Sequence, residues 1–198
     1  MKLTISLSPL SSTIRIAGIV LMLSTLSACY ESEVRMLNYG DRANLEGKYI
    51  CTAVDGSRPS ESVEISVQKS GQGNAVDYVY RFSGGGEFRF SNLSSGMFIG
   101  QTHRGYKGWG RKEHDSRYGF VFLDVKNTAD ISFFETNFGS QKEEIGRMME
   151  ANDIRFKENP YSLTTTMTLS GSADNLFDFF NGHGRSMLKE TVTCTSQT

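Results

Sequence analysis

Apolar and polar residues alternate along most of the chain from residue 47 onward. The run Val63-Glu64-Ile65-Ser66-Val67-Gln68 shows the period of two that is typical of a strand with one buried face. The segment 76–82 alternates in the same way, and Ser83-Gly84-Gly85-Gly86 then leads into residues 87–90, which include Phe88. Because glycine tolerates the positive φ of tight hairpin turns, this pattern predicts a β-hairpin.

Similar patterns predict further strands and two short helices. The predicted strands cover residues 47–54, 63–68, 76–82, 87–90, 97–102, 118–125, 130–135, 161–169 and 189–195. Residues 140–151 carry apolar Ile145, Met148 and Met149 at helical spacing. A second helix is expected to be capped by Ser172 and to end at Gly182.

The N-terminus has a different pattern. Lys2 and Arg15 precede the apolar run Ile16 to Leu23, as in the charged and apolar regions of a secretory signal. Only 13 residues separate Arg15 from Cys29, whereas a helix that crosses a bilayer needs about 20 apolar residues. Residues 1–28 are therefore interpreted as a signal peptide rather than as a transmembrane helix.

The segment Leu26-Ser27-Ala28-Cys29 resembles the lipobox of bacterial lipoproteins, in which a branched apolar residue and two small residues precede a cysteine. The resemblance implies that Cys29 is the first residue of the mature protein and that its thiol carries a diacylglycerol, with palmitate as a typical acyl chain. More than one acyl chain gives stable anchoring in a membrane. Residue 30 is Tyr rather than the Asp that retains Gram-negative lipoproteins in the inner membrane, so the resemblance implies the outer membrane, facing the periplasm.

Three cysteines occur in the chain. With Cys29 assigned to the lipid, Cys51 and Cys194 remain, each in a strand-like segment near one end of the domain. An exported chain meets an oxidising compartment, so we expect a disulfide between them, with two free buried thiols as the alternative. On the chain-entropy model such a disulfide would contribute roughly 4 to 5 kcal/mol to stability.

Short consecutive strands without βαβ alternation indicate an antiparallel sheet. Pairing of the first and last strands through Cys51 and Cys194 favours a sheet that curls until its ends meet. The predicted fold is mainly β (α+β), a barrel-like antiparallel sheet of about nine strands with two short helices, and a β-sandwich is the alternative. Residues 29–46 are expected to form the lipidated N-terminus and a polar tether, and residues 47–198 a single β-rich domain. Packing of part of residues 30–46 on the domain is the alternative.

Charge and motifs restrict the classes of function. Removal of the signal peptide changes the formal charge from −1 to −3, because Lys2 and Arg15 are lost. A nucleic-acid partner would call for a strongly basic face, so none is expected. The chain has no G-x-S-x-G motif, no H-E-x-x-H and no paired C-x-x-C. We therefore expect no catalytic residue, no cofactor and no metal, and His103, His114 and His183 are interpreted as solvated histidines.

The segment 103–117 is the most unusual part of the sequence. It holds five Lys or Arg residues against two acidic ones, and it contains the only Trp of the chain. Aromatic residues beside cations are enriched at binding hot spots, and a long loop in a compact domain is often functional. The candidate binding residues are Tyr106, Lys107, Trp109, Arg111 and Lys112. An alternative interpretation is a solvated connection whose Trp covers one end of the core.

These observations favour a membrane-anchored, non-enzymatic binding module of the cell envelope. Its expected partners are lipopolysaccharide phosphates, peptidoglycan carboxylates or an acidic envelope protein. A lipocalin-like carrier is the alternative, in which the Phe and Tyr rings of a wide barrel would line an apolar cavity. Tyr49-Ile50-Cys51 also resembles the opening strand of small disulfide-linked barrel lipoproteins that inhibit lysozyme, which implies a third hypothesis, inhibition of a wall-degrading enzyme. The mature chain is longer than theirs, and no segment of it matches their inhibitory loop.

Overall fold

The computed structural model describes residues 30–72, 76–105, 116–126, 130–136, 138–159 and 166–197, and these contain eleven strands and two α-helices. The strands are β1 (Tyr30–Ser32), β2 (Gly47–Ala53), β3 (Glu61–Ser70), β4 (Asp77–Phe82), β5 (Glu87–Asn92), β6 (Phe98–Gly105), β7 (Ser116–Lys126), β8 (Asp130–Thr136), β9 (Arg155–Asn159), β10 (Thr166–Ser170) and β11 (Leu188–Ser196). The helices are α1 (Phe138–Ala151) and α2 (Ala173–His183), followed by a 3-10 turn, Gly184–Met187.

Eight antiparallel strands close into a barrel. Their order is β2-β3-β4-β5-β6-β7-β8-β11, and β11 pairs back onto β2. The predicted barrel is therefore confirmed in preference to the sandwich. In strands with one polar face, such as β3, the apolar residues point into the barrel because alternate side chains of a strand lie on opposite faces.

Aromatic side chains fill the interior of the barrel. The rings of Phe82 and Phe88 lie 5.3 Å apart, those of Phe88 and Phe90 6.0 Å apart, and Phe82 lies 6.2 Å from Phe133. All four residues are buried. Contacts at these distances show that rings from β4, β5 and β8 pack on one another and form a core.

A second core lies on the outside of the barrel, against β7. Phe120 and Phe122 point away from the interior, and their rings lie 5.5 and 5.2 Å from Phe180 of α2. Tyr30 of β1 also contacts Phe180, at 5.7 Å. Strand β1 pairs antiparallel with β7 and parallel with β10, and β10 pairs with β9. This second layer of strands and helices covers one flank of the barrel.

Residues 30–46 pack on the domain rather than forming a free tether, which was the alternative expectation for this stretch. Tyr30 begins β1 with 1% of its surface exposed, and Met36 and Leu37 are buried in the outer core. Ala43 and Leu45 are buried in the interior of the barrel. The apolar residues of this segment are too widely spaced to produce a period, so the sequence pattern gave no sign that they are part of the core.

The segment passes from the outer face to the interior at Gly40 and Asp41. Only two residue pairs join β4 and β5, both near the hairpin turn, so the strands separate toward their other ends. The N–H of Tyr78 donates to the carbonyl of Gly40 at 3.1 Å, and the N–H of Asp41 donates to the carbonyl of Phe90 at 2.7 Å. Residues 40 and 41 thus satisfy backbone groups that the separated strands leave unpaired.

The predicted disulfide between Cys51 and Cys194 is confirmed. The two cysteines face each other in the antiparallel pairing of β2 and β11. They are separated by 143 positions in sequence, so the bond links the first and last strands of the closed barrel.

Both predicted helices are confirmed, with small differences at their ends. Ser172 caps α2 through its hydroxyl, which accepts from the N–H of Asn175 at 3.0 Å. The helix continues through Gly182 to His183, and Gly184 is the C-cap. The predicted strand 161–169 is observed as β10 from Thr166, since residues 160–165 lie outside the described residues.

Candidate functional site

The base of the segment 103–117 is part of the barrel wall rather than a loop. Residues 103–105 belong to β6 and residues 116–117 to β7, and the two strands pair at Arg104 with Arg117 and at Gly105 with Ser116. The candidate residues Tyr106, Lys107, Trp109, Arg111 and Lys112 lie outside the described residues. The described residues on either side of 106–115 are therefore held next to each other by a continuous ladder.

A pocket of about 430 Å³ lies on the outer face of the barrel beside this base. It is bounded on one side by Arg35 and Leu37, and on the other by residues from β5, β6 and β7. The lining residues are Arg35, Leu37, Gly86, Glu87, Arg89, Gln101, Thr102, His103 and Tyr118. The structure thus brings His103, which the sequence singled out, together with two arginines from distant parts of the chain.

Gln101 fixes the N-terminal segment over the pocket. Its Oε1 atom accepts hydrogen bonds from the N–H groups of Met36 and Leu37, both at 2.9 Å. The side chain is buried with 5% exposure, and a buried polar group needs such partners. Gln101 of β6 therefore holds the backbone of Met36 and Leu37 against the pocket through two hydrogen bonds.

Arg35 lines the pocket, and backbone carbonyls that follow it in the chain hold its side chain in place. Its Nε donates to the carbonyl of Leu37 and its Nη2 to the carbonyl of Asn38, both at 3.1 Å. A guanidinium has five N–H donors, so these two hydrogen bonds occupy only part of its capacity. The remaining donors suit an anionic acceptor, because arginine recognises carboxylates and phosphates with a planar fork.

Arg89 is held by a carboxylate behind it. Its Nε and Nη2 donate to the two oxygens of Asp77 at 3.0 and 2.9 Å, and the N–H of Gly40 donates to the same carboxylate at 2.8 Å. Burial alone would raise the pKa of Asp77, but the hydrogen bonds from Arg89 and Gly40 and the charges of Arg89 and Arg35 outweigh it. The pKa of Asp77 is therefore held below its usual value of 3.8.

His103 and Tyr118 form the side of the pocket nearest to residues 106–115. They face each other across the β6–β7 ladder, and their rings meet edge to face at 5.4 Å. Glu87, the acidic residue in the lining, pairs with Arg81 at 2.7 Å. The pocket can thus offer cationic donors and an aromatic surface to one ligand group.

A second pocket, also of about 430 Å³, lies next to residues 42–46. It is lined in part by Arg42, Lys69 and Tyr78, and the Lys69 ammonium lies 5.9 Å from the centre of the Tyr78 ring. The Tyr80 hydroxyl accepts a hydrogen bond from the N–H of Ala43 at 2.7 Å and so holds the N-terminal segment in place. Burial raises the pKa of Tyr80.

The interior of the barrel is where a lipocalin-like carrier would hold its ligand. The interior that the described strands enclose is occupied by packed rings of β4, β5 and β8, together with Leu45 from the N-terminal segment. A ligand cavity would need that space to be open.

Several other features of the sequence concern the lipid anchor, metal binding and membrane spans. Cys29 and His114 lie outside the described residues. Among the residues that are described, no group of three His, Cys, Asp or Glu side chains is placed to hold a metal ion. No helix in the described ranges has the length and apolar character needed to cross a membrane.

Sequence reasoning missed Arg35, Arg89, Gln101 and Tyr118. Arg35 and Gln101 are far apart in the chain, and the latter reaches its backbone partners across 64 and 65 positions. Arg89 alternates with Phe88 and Phe90, which indicates a polar face at that position, but nothing local indicated that the N-terminal segment would cross that face.

Comparison of this chain with protein-family models, curated proteins and solved structures finds no match.

Proposed function

We propose that this protein is a cell-envelope lipoprotein that is anchored through acyl chains on Cys29. We propose further that it is a non-enzymatic module that binds an anionic envelope macromolecule. The binding surface comprises the pocket lined by Arg35 and Arg89 and the adjoining segment 103–117. The outer membrane, on its periplasmic side, is the proposed location.

The observation that carries the binding proposal is the position of the pocket. The hairpin connection that contains Lys107, Trp109 and Arg111 starts and ends beside a pocket that already holds two guanidinium groups. The cations of residues 106–115 are thus close in the chain to the cations of the pocket, and both sets suit the same acidic partner. Aromatic and arginine residues carry a large share of the energy at such interfaces.

The lipid anchor is supported by the order of charged, apolar and small residues before Cys29. The disulfide between Cys51 and Cys194 is further support, because such bonds form and persist in exported proteins. Both features fit a domain that works outside the cytoplasm.

Metabolic labelling with palmitate tests the anchor. The full chain, expressed in a Gram-negative host, should take up label and sediment with membranes. The Cys29→Ala variant should lose both properties, while the Cys194→Ala variant should keep the label. Labelling that persists in Cys29→Ala would contradict the assignment of the lipid to this residue.

Substitution in the hairpin connection tests the binding surface. The double variant Trp109→Ala, Arg111→Ala should weaken retention of the lipidated protein on its target by at least about 30-fold, as the loss of one hot spot of 2 kcal/mol predicts. The targets to compare are isolated peptidoglycan, immobilised lipid A and extracted envelope proteins, all in detergent, so that insertion of the acyl chains into a bilayer does not contribute to retention.

Arg155→Ala with Lys157→Ala is the matched control, because both cations are exposed on β9, away from the pocket. This variant should bind as the unchanged protein does. If both double variants bind every target equally well, the segment 103–117 is not the binding surface.

A further inference from the structure

Tyr30, the residue that follows Cys29, is already a fixed part of the fold. It begins β1 opposite Met167 of β10, and its side chain is 1% exposed. Its ring packs edge to face against Phe180 of α2 at 5.7 Å. Consecutive Cα atoms lie about 3.8 Å apart, so a lipid on Cys29 would be attached one residue away from a strand that is fixed in the fold.

We propose that the domain lies directly on the lipid bilayer, without an intervening tether, on the flank where β1 begins. This inference rests on the proposed lipidation of Cys29. If residues 30–46 were extended, they could hold the domain up to about 50 Å from the membrane. The structure uses these residues instead in β1, in the outer core and in the interior of the barrel.

The pairing of neighbouring elements identifies the flank that meets the lipid. Met167, opposite Tyr30, is paired with Glu158 of β9, and Glu158 forms an ion pair with Lys142 of α1. The first turns of α1 therefore lie at the level of Tyr30. The basic and acidic residues of α1 and β9 balance, at four of each: Lys142, Arg147, Arg155, Lys157, Glu143, Glu144, Glu150 and Glu158. Because the net charge of these two elements is zero, the covalent lipid rather than charge holds this flank on the bilayer.

The candidate binding surface lies toward the other end of β1. Glu31 and Ser32 pair with Gly119 and Tyr118, so β1 runs from Cys29 toward the start of β7 at Ser116. From the level of Tyr30 to Ser116 is about 14 Å along β7, at ~3.4 Å per residue. The anchor thus presents the base of residues 106–115 away from its own point of attachment.

Fluorescence quenching by spin-labelled phospholipids tests this placement. The full lipidated chain would be reconstituted in phosphatidylcholine vesicles with a probe on one introduced cysteine. Glu144→Cys places the probe on exposed α1 near the expected contact. Ser66→Cys places it on the outward face of β3, which is four strands from β7 around the eight-stranded barrel.

The probe at position 144 should be quenched severalfold more than the probe at position 66, and high salt should not remove the difference. A flexible spacer of about 20 residues inserted between Cys29 and Tyr30 should make the two probes nearly equal, since the chain could then extend away from the membrane. Equal quenching in lipidated protein without a spacer would overturn the placement alone. Absence of lipid, scored by mass spectrometry of the same sample, would overturn the proposed anchor and this inference together.

Discussion

Gly40 occupies the point at which the N-terminal segment passes between β4 and β5. A Cβ atom at this position would overlap the carbonyl oxygen of Tyr78 and lie 3.4 Å from the Cα atom of Arg89. Both neighbours are backbone atoms, which cannot rotate away as a side chain can. Glycine is needed at this position because three backbone segments approach one another closely, and not because of an unusual φ.

We expect Gly40→Ala to lower the free energy of unfolding by about 1 to 3 kcal/mol, the usual range for added volume in a packed site. Gly182→Ala is the matched control, because nothing lies within 4 Å of a Cβ atom there and the residue is helical. That substitution should be neutral or stabilise the protein by up to about 1 kcal/mol. Urea unfolding followed by circular dichroism compares the two variants, and equal stability would contradict the close passage of the chain at Gly40.

Asp77 links the N-terminal segment to the wall of the pocket, and its depressed pKa makes that link sensitive to pH. A carboxyl whose folded pKa lies below its unfolded value stabilises the fold above the unfolded pKa, near 3.8. That contribution is lost as the pH falls through the folded pKa. Asp77→Asn removes the titrating group.

The unchanged protein should therefore lose more stability than Asp77→Asn as the pH falls from about 5 toward 2. Asp130→Asn, at an aspartate of β8, shows how much the loss of one barrel carboxylate changes the pH dependence of stability in general. Thermal unfolding across this pH range measures the slopes. Identical slopes for the unchanged protein and Asp77→Asn would show that Asp77 does not contribute to the acid sensitivity.

Single residues differ in how far the sequence could reveal their roles. Local composition made Trp109 and Arg111 candidates only, and both lie outside the described residues. The pairing of Cys51 with Cys194 was predictable from their positions near the two ends of the domain. Gln101 could not be recognised in this way, because its role depends on backbone donors that reach it only after the chain has folded over β6.

At the scale of elements, the strands of the barrel were predictable where alternation was strong, and the accessory strands were not. Strand β9 is Arg155-Phe156-Lys157-Glu158-Asn159, whose composition gives no apolar face of sufficient size. It forms because its backbone pairs with β10 and Phe156 packs against the outer core. Strand β1 is three residues long and includes buried Glu31, so tertiary context overrides local preference there.

The bond between β2 and β11 is the element-scale feature with the largest expected effect. Cys51→Ala with Cys194→Ala should lower the free energy of unfolding by about 2 to 5 kcal/mol, because the unfolded chain gains entropy when a long loop is opened. Urea unfolding with and without a reductant measures the effect.

Reductant should destabilise the unchanged protein to the level of the double variant and leave the double variant unaffected. A double variant as stable as the oxidised protein would mean that pairing of β2 with β11 does not depend on the bond.

At the scale of the whole molecule, the sequence predicted the barrel because its two ends were expected to meet. Closure through β11 and β2 and through β6 and β7 bears out that reasoning. The outer layer could not be predicted, because it depends on α2 placing Phe180 against β7 and on the N-terminal segment folding back. Under the proposed anchoring at Cys29, the opposite end of β1 and the start of β7 would be presented to the proposed partner.

Photocrosslinking in intact cells from position 109 is the most direct test of the claim that the protein is an anchored binding module. A photoreactive residue replaces Trp109 in the full lipidated chain, and a second variant carries it at Ser66, on the opposite wall of the barrel. The account predicts a discrete adduct with an envelope component from position 109 that is absent from position 66 and is reduced when Arg111 is also changed to Ala. No adduct from position 109, or the same adducts from both positions, would contradict it.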